Sequence, residues 1–297
     1  MPDAAIIIVN YNAGNKLACA VASVLECRAL REVLVVDNAS KDDSLKAVLE
    51  IARDDARISI LRNDQNEGFA AACNRGMKAA GSDYLMILNP DCVVEAGAIE
   101  TLLQFMEQAP GVGMAGPLLL NPDGTEQAGC RRTVPTPWRS FVRVFNLSFL
   151  KDRYPRLFSD FTLNNDPLPV KPVEMEAISG ACMLVKREAV EDVGPMDDKY
   201  FMHCEDLDWC MRFRQRGFSI MFVPAARVVH YQGTCSKDRK LFVEWHKHKG
   251  MIRFYRKFFR HQYPGVLRWL VEAGVWLRFA ALAVGHVLKR KPHRISR

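Results

Sequence analysis

The chain has 297 residues, 49% of them hydrophobic and 25% charged, and a formal net charge of +7. That length and balance support a large folded core and exclude a disordered or low-complexity chain. Nine cysteines stand singly, with no Cys-x-x-Cys pair and an odd total, which argues against a disulfide framework and a zinc site and for a reducing compartment.

The first apolar run, Ala4 to Val9, reads as a buried strand and follows no basic stretch or cleavage signal, so no signal peptide is expected. A turn-rich loop, Asn10 to Asn15, leads into helical periodicity from Leu17 to Leu25. Val33 to Val36 is a second strand, and Ser44 to Ala52 a second helix with Ser40 or Asp42 as its N-cap. Ile58 to Arg62 is a third strand, Gly68 to Ala80 an Ala-rich helix, Tyr84 to Leu88 a fourth strand, and Ala96 to Gln108 a helix. Such β-α alternation with short links predicts an α/β fold with an open, doubly wound, mostly parallel sheet flanked by helices.

After Gly116 the pattern changes. Residues 117–172 are rich in Pro, Asn and Asp and read as a loop-rich insertion with one helix near Trp138 to Phe149. Glu174 to Val185 is expected to return to the sheet, Asp206 to Arg216 to form a helix stopped by Gly217, and Ser219 to Val223 a strand closed by Pro224. The helical C-terminal tail is basic. Phe242 to Phe259 mixes aromatics with Lys and Arg, and Leu267 to Leu288 is apolar but carries Arg268, Glu272 and Arg278. A spanning helix needs about 20 mostly uncharged residues. The tail is therefore expected to lie as amphipathic helices in a membrane interface, with Trp269 and Trp276 near headgroup depth. The alternative is a helical hairpin packed on the domain.

Carboxylates placed where strands end do not serve a core, because ligands bind at the carboxyl ends of such sheets. Asp37 ends the second strand and suits a nucleobase imide or ribose hydroxyl, although taken alone it is better explained as a turn or N-cap residue. Asn66-Glu67-Gly68 opens a helix carrying Asn74 and Arg75; Gly68 admits close backbone approach, and Arg75 could reach a phosphate. Asn89-Pro90-Asp91 follows the fourth strand, where one carboxylate is a hard ligand for Mg²⁺ or Mn²⁺ bridging two phosphates. Glu205-Asp206-Leu207-Asp208 opens a helix, so one acid is a candidate general base and another an ordinary cap. His230 ends an apolar run; a lone histidine there is more often structural than a ligand.

In order along the chain stand Ile8-Val9-Asn10-Tyr11-Asn12, Val36-Asp37-Asn38-Ala39-Ser40, Asn66-Glu67-Gly68-Phe69 and Asn89-Pro90-Asp91. Ser179-Gly180-Ala181, Met196-Asp197 through Glu205-Asp206-Leu207-Asp208, and Val229-His230 follow. This ordered set resembles the family 2 glycosyltransferases of the GT-A fold, and among them the rhamnosyltransferase-type enzymes of bacterial polysaccharide assembly. The resemblance implies an inverting transferase using a divalent metal, Mn²⁺ or Mg²⁺, with Asp91 and His230 at the metal and Asp206, flanked by Glu205, as base. It implies a nucleotide-sugar site formed by Asn10, Asn12, Asp37, Asn66, Gly68, Asn74, Arg75, Asn89 and Gly180. The chain departs from the family's D-x-D pattern at Asn89, which leaves Asp91 as the only carboxylate there.

The chain accordingly divides into a glycosyltransferase domain, 1–240, with a nucleotide-sugar half (1–116) and an acceptor half (117–240), and a basic amphipathic tail, 241–297. The expected donor is dTDP-rhamnose, by resemblance. The expected acceptor is a saccharide or lipid-linked saccharide, with the tail as a peripheral contact at the cytoplasmic face of the inner membrane and no nucleic-acid partner. Two rivals remain. A sugar-nucleotide pyrophosphorylase would need a Gly-rich basic loop after the first strand, and no basic residue precedes Lys16 there. A non-catalytic sugar- or lipid-binding protein need not keep Asp91, Asp206 and His230 in one cleft.

Overall fold

The structure is a computed structural model, and it describes residues 3–233, 239–263 and 265–289. In chain order it contains β1 (Ala4–Asn10), α1 (Lys16–Leu25), β2 (Leu30–Asp37), α2 (Ser44–Asp54), β3 (Ile58–Arg62), α3 (Phe69–Ala79) and β4 (Tyr84–Leu88). There follow β5 (Cys92–Val94), α4 (Ala98–Gln108), β6 (Val112–Leu120), β7 (Arg131–Arg132), α5 (Pro137–Val144) and α6 (Pro155–Phe158). The rest is β8 (Val173–Glu174), β9 (Ala177–Ile178), β10 (Cys182–Lys186), α7 (Arg187–Val193), α8 (Glu205–Gln215), β11 (Ser219–His230), α9 (Lys240–Phe258) and α10 (Val266–Lys289).

The main sheet runs β3-β2-β1-β4-β10-β6-β11-β5, with β8 also on β11. Pairs β1–β2, β1–β4, β2–β3 and β6–β11 are parallel, while β10 is antiparallel to both β4 and β6. Two reversals cancel, so β6 and β11 point the same way as β1, β2 and β4. The carboxyl ends of β1, β2, β4 and β11 therefore share one edge with the amino end of β10. All seven residues of β1 are buried, as expected of a strand covered on both faces. Alternate residues feed two cores. Ile6, Ile8, Val33, Val35, Met86 and Leu88 pack with α1 and α4. Ile7, Val9, Leu34, Val36, Leu85 and Ile87 pack with α3, α8 and α9.

Several boundaries differ from the sequence reading. The strand β6 runs past Gly116 to Leu120, and β5 is a short addition. The predicted strand over Glu174 to Val185 breaks into β8, β9 and β10, because Gly180 bends the chain and Ala177-Ile178 pairs with β7 instead. Pro224 does not close β11: the register with β6 shifts between Val223 and Arg227, and a bulge tolerates a residue without a backbone donor. Neither Ser40 nor Asp42 is the N-cap of α2; Asp43 holds that position. The Ser40 hydroxyl instead accepts from Asn12 N and Asn10 Nδ2, each at 3.0 Å. The helix near Trp138 stops at Val144, and Asn146, at φ 52°, turns the chain into a 3₁₀ turn over Leu147–Leu150.

The helix α9 packs on the domain along one face. Its Ile252, Phe254 and Tyr255 are buried in the second core. The helix α10 folds back on α9 as a hairpin: Trp276 packs on Trp245 at 4.9 Å, Arg256 pairs with Glu272 at 2.6 Å, and Arg278 Nη1 meets His248 Nε2 at 3.1 Å. Among the described residues no helix is long and apolar enough to cross a membrane. The part of the basic tail at 290–297, and Lys237, lie outside the described residues. The eight cysteines among the described residues are free.

Candidate active site

The shared sheet edge gathers most of the predicted residues. Asn10 ends β1 opposite Asp37, which ends β2. Both are buried, and Asn10 Nδ2 donates to Asp37 Oδ1 at 2.8 Å and to Ser44 Oγ at 2.8 Å. The other Asp37 oxygen accepts from Ser40 N at 3.3 Å. Asn10 Oδ1 has no hydrogen-bond partner among the described residues. Asn12 sits at φ 54° and accepts from Lys41 N at 2.7 Å, closing the loop over this corner.

Beside it, Asn38 organises the next loop. Its Nδ2 donates to Asn66 Oδ1 at 2.9 Å, and its Oδ1 accepts from Asn63 Nδ2 at 2.9 Å and Glu67 N at 3.1 Å. Gly68 is at φ 90°, and a Cβ there would lie 2.6 Å from the Phe201 carbonyl oxygen. The close approach is thus to the loop before α8, to which Phe69 N also donates at 2.8 Å. Asn74 and Arg75 are committed to the protein. Asn74 exchanges two hydrogen bonds with the Met196 backbone, at 2.8 and 2.9 Å. Arg75 donates to Arg62 O at 2.9 Å and to Asn63 Oδ1.

At the end of β4, Asp91 Oδ1 lies 3.1 Å from His230 Nε2, both side chains buried. Asn89 Nδ2 is 3.4 Å from the same nitrogen. The other face of the imidazole is fixed: His230 Nδ1 donates to Gln127 Oε1 at 2.6 Å. The Gln127 orientation follows from its Nε2, which donates to His230 O at 3.3 Å and Asn121 Oδ1 at 3.2 Å. With Nδ1 committed as a donor, Nε2 faces a carboxylate oxygen 3.1 Å away, a gap that a proton on Nε2 or a bound cation can bridge. That spacing also suits neighbouring ligands on one ion with bonds of about 2.0–2.1 Å. Cys92 completes a cluster whose donor atoms lie within 4.8 Å of one another. Burial pushes its thiol well above the usual range, and a soft sulfur suits Mg²⁺ or Mn²⁺ less well than oxygen or imidazole. The donor set that fits a divalent cation is Asp91 and His230, oriented by Gln127.

Opposite this cluster, α8 begins on a strained turn, with His203 at φ 65° and Cys204 at φ 71°. Asp206 Oδ2 accepts from Arg132 Nη2 at 2.5 Å and from Gly180 N at 3.1 Å, and Oδ1 accepts from Leu207 N at 2.8 Å. Gly180 lets the backbone come close, since a Cβ there would lie a tight 3.0 Å from Asp206 Cβ. Burial acts to raise the Asp206 pKa, but the Arg132 guanidinium and the two amides outweigh it, and the net direction is down. Its neighbour goes the other way. Burial, then the Asp206 charge, raises Glu205 to about 8, and Glu205 Oε2 has no partner among the described residues. Glu205 is therefore mostly protonated at neutral pH and Asp206 ionised. Asp208 lies on the far side of the helix, fully buried, held by Arg212 Nε at 2.7 Å and Lys257 Nζ at 2.6 Å.

Sequence reasoning missed Gln127, Arg132 and the organising role of Asn38. Arg132 carried a faint signal, as one of two adjacent arginines in a stretch poor in order; Gln127 carried none.

Comparison with known proteins gives the family and the fold. The family model "Glycosyl transferase family 2" matches residues 5–194. N-acetylglucosaminyl-diphospho-decaprenol L-rhamnosyltransferase of Mycobacterium tuberculosis is 27% identical over 98% of this chain and 94% of its own. The fold is that of GT-A glycosyltransferases of known structure. GalNAc-T7, solved with UDP, GalNAc and Mn²⁺, superposes with a TM-score of 0.63 at 20% identity over 86% of this chain and 48% of that one. The mannosyltransferase PcManGT of Pyrobaculum calidifontis, with GDP-Man and Mn²⁺, gives 0.59 at 17% identity over 99% and 79%.

Proposed function

The chain belongs to glycosyl transferase family 2, and from that premise we propose that it moves rhamnose from dTDP-rhamnose to a hydroxyl of a lipid-linked saccharide, inverting the anomeric centre. The sugar and the acceptor follow the nearly full-length relative, whose name states a rhamnosyl transfer to an N-acetylglucosaminyl-diphospho-decaprenol, and the dTDP carrier follows the sequence resemblance. The nucleoside lies at the Asn10–Asp37 corner, where the unpartnered Asn10 Oδ1 receives an N–H from the base.

The observation that carries the reading is the opposition of Asp91 Oδ1 and His230 Nε2 at 3.1 Å, with Gln127 fixing the ring. When bound there, a divalent cation neutralises charge on the departing diphosphate. The protein's own part is acid–base and positional. Ionised Asp206 takes the proton of the acceptor hydroxyl as its oxygen attacks the anomeric carbon. The bond from that carbon to the diphosphate oxygen breaks on the opposite face. Arg132 holds the Asp206 carboxylate ready and deprotonated. Glu205 is a poor base at neutral pH because it is already protonated.

We assign the C-terminal hairpin a peripheral membrane role, at the face that presents the lipid-linked acceptor. The support is the outer surface of α10, where Trp269, Leu270, Leu277 and Val284 are exposed. A panel of nucleotide sugars, assayed with Mn²⁺ for donor hydrolysis and for transfer to a diphosphoprenyl saccharide, tests the reading. Turnover of dTDP-rhamnose above all others is expected; preference for a different sugar, or formation of sugar phosphate and nucleoside triphosphate from the donor and pyrophosphate, rejects it.

A further inference from the structure

Between β7 and β8 the chain leaves the sheet, and there its apolar residues face outward. Phe145 is 60% and Phe149 74% exposed, with Trp138, Phe141, Tyr154 and Leu157 exposed beside them. The rings are connected: Phe141 stacks on Trp138 at 5.5 Å and meets Phe145 at 4.4 Å, and Trp138 meets Phe158 at 6.1 Å. Positions 138, 141 and 145 share one helical face, while Val142 points inward and is fully buried. An exposed aromatic surface of this kind marks an interaction site.

Its charge says with what. Pro137 to Phe158 contains five basic residues, Arg139, Arg143, Lys151, Arg153 and Arg156, against one acid, Asp152. Arg153 and Arg156 are exposed and form no ion pair among the described residues. Aromatic rings with arginines on short amphipathic turns match the headgroup region of an anionic bilayer. Bare protein surfaces offer no such density of phosphate.

We propose that Pro137–Phe158 is a second membrane contact, a foot that inserts its rings among the headgroups of an anionic bilayer with Arg153 and Arg156 on lipid phosphates. It deepens the membrane reading given above and rests on it for the surface, not for the chemistry. The foot is continuous with the tail: Ser140 Oγ and Tyr255 Oη lie 2.7 Å apart. Pro137 and α10's Val271 line one crevice with α9's Tyr255 and with Phe259, which caps α9. Pro137 follows Arg132, which holds Asp206, by five positions. The foot thus seats the base side of the cleft on the lipid surface, where a membrane-borne hydroxyl arrives.

The test is co-sedimentation of the full chain with phosphatidylglycerol–phosphatidylcholine vesicles, wild type against Phe145→Glu/Phe149→Glu and Arg153→Gln/Arg156→Gln. Both pairs are exposed, and unchanged circular dichroism and donor hydrolysis verify folding. The phenylalanine pair is expected to weaken vesicle binding at least about tenfold. The arginine pair is expected to weaken it about tenfold on anionic vesicles and little on pure phosphatidylcholine. Wild-type vesicle binding by the phenylalanine variant overturns the proposal, as does absence of binding by wild type. A shift from dimer to monomer in that variant, with vesicle binding unmoved, assigns the patch to a second copy of the chain and overturns it too. Failure of rhamnosyl transfer with foot-dependent vesicle binding intact sinks the reaction assigned above and leaves the foot standing.

Discussion

Arg132 Nη2 lies 2.5 Å from Asp206 Oδ2, and its other acceptor is the Ile178 carbonyl at 2.6 Å. The guanidinium is thereby fixed by β9 while it holds the carboxylate of α8. This contact decides the charge of a buried acid that burial alone would neutralise.

Removing the guanidinium leaves burial unopposed. In Arg132→Gln the acid limb of the kcat profile is expected to move to higher pH by about one unit or more, with transfer at neutral pH reduced and donor affinity retained. An acid limb that stays in place while the rate falls would show that Arg132 acts on the substrate and not on Asp206.

Asp206→Asn keeps size and loses the proton acceptor. Transfer is expected to fall by about 10²–10⁴-fold with donor binding unchanged, whereas Glu205→Gln stays within about tenfold of wild type because Glu205 is already neutral. The reverse ranking in single-turnover assays reassigns the base to Glu205.

The raised pKa of Glu205 has a consequence for stability. The folded state holds this proton more tightly than the unfolded chain does, so the stabilisation is complete below the unfolded value and is lost as pH rises toward about 8. At about 1.4 kcal/mol per pKa unit the effect amounts to a few kcal/mol. Denaturant melts of wild type are expected to weaken between about pH 5 and 8 relative to Glu205→Gln; parallel curves for the two proteins refute the shift.

Asp91→Ala and His230→Ala are expected to lose Mn²⁺-promoted donor binding by calorimetry, with the fold intact. Gln127→Leu frees the His230 ring without touching the ion, and should weaken Mn²⁺ binding by about 10–100-fold. Wild-type affinity in Gln127→Leu would mean that the tautomer is set by something else.

Asp208 is a structural acid. Asp208→Ala strips Arg212 and Lys257 of a buried partner, though each cation keeps another: Pro195 O for Arg212, Asp197 for Lys257. The expected cost is about 2 kcal/mol in thermal unfolding, with near-wild-type kcat where the protein is folded. A large kcat defect in folded protein would place Asp208 in the chemistry.

The sequence by itself determined the Rossmann-like half and the order of the acids along it. Strands such as Ile6-Ile7-Ile8-Val9 are continuous apolar runs because both faces are covered, and β1, β2 and β11 end on the polar residues Asn10, Asp37 and His230. Local pattern carries that much because helix and strand periods are local. It also carried the helix opened by Glu205 and Asp206. What tertiary structure alone decided is which partner each group meets. Asp91 and His230 stand 139 positions apart in sequence and 3.1 Å apart in space, because β5 pairs with the end of β11. Arg132 reaches Asp206 only through the pairing of β7 with β9, and the contact of Arg75 with Asn63 joins two elements that no local pattern links. The tail's fate was equally nonlocal: α9 and α10 carry similar mixtures of aromatic and basic residues, yet α9 completes the second core and α10 keeps an outer face open. Long-range pairing and burial fix such choices, and no window of the sequence contains both sides of them.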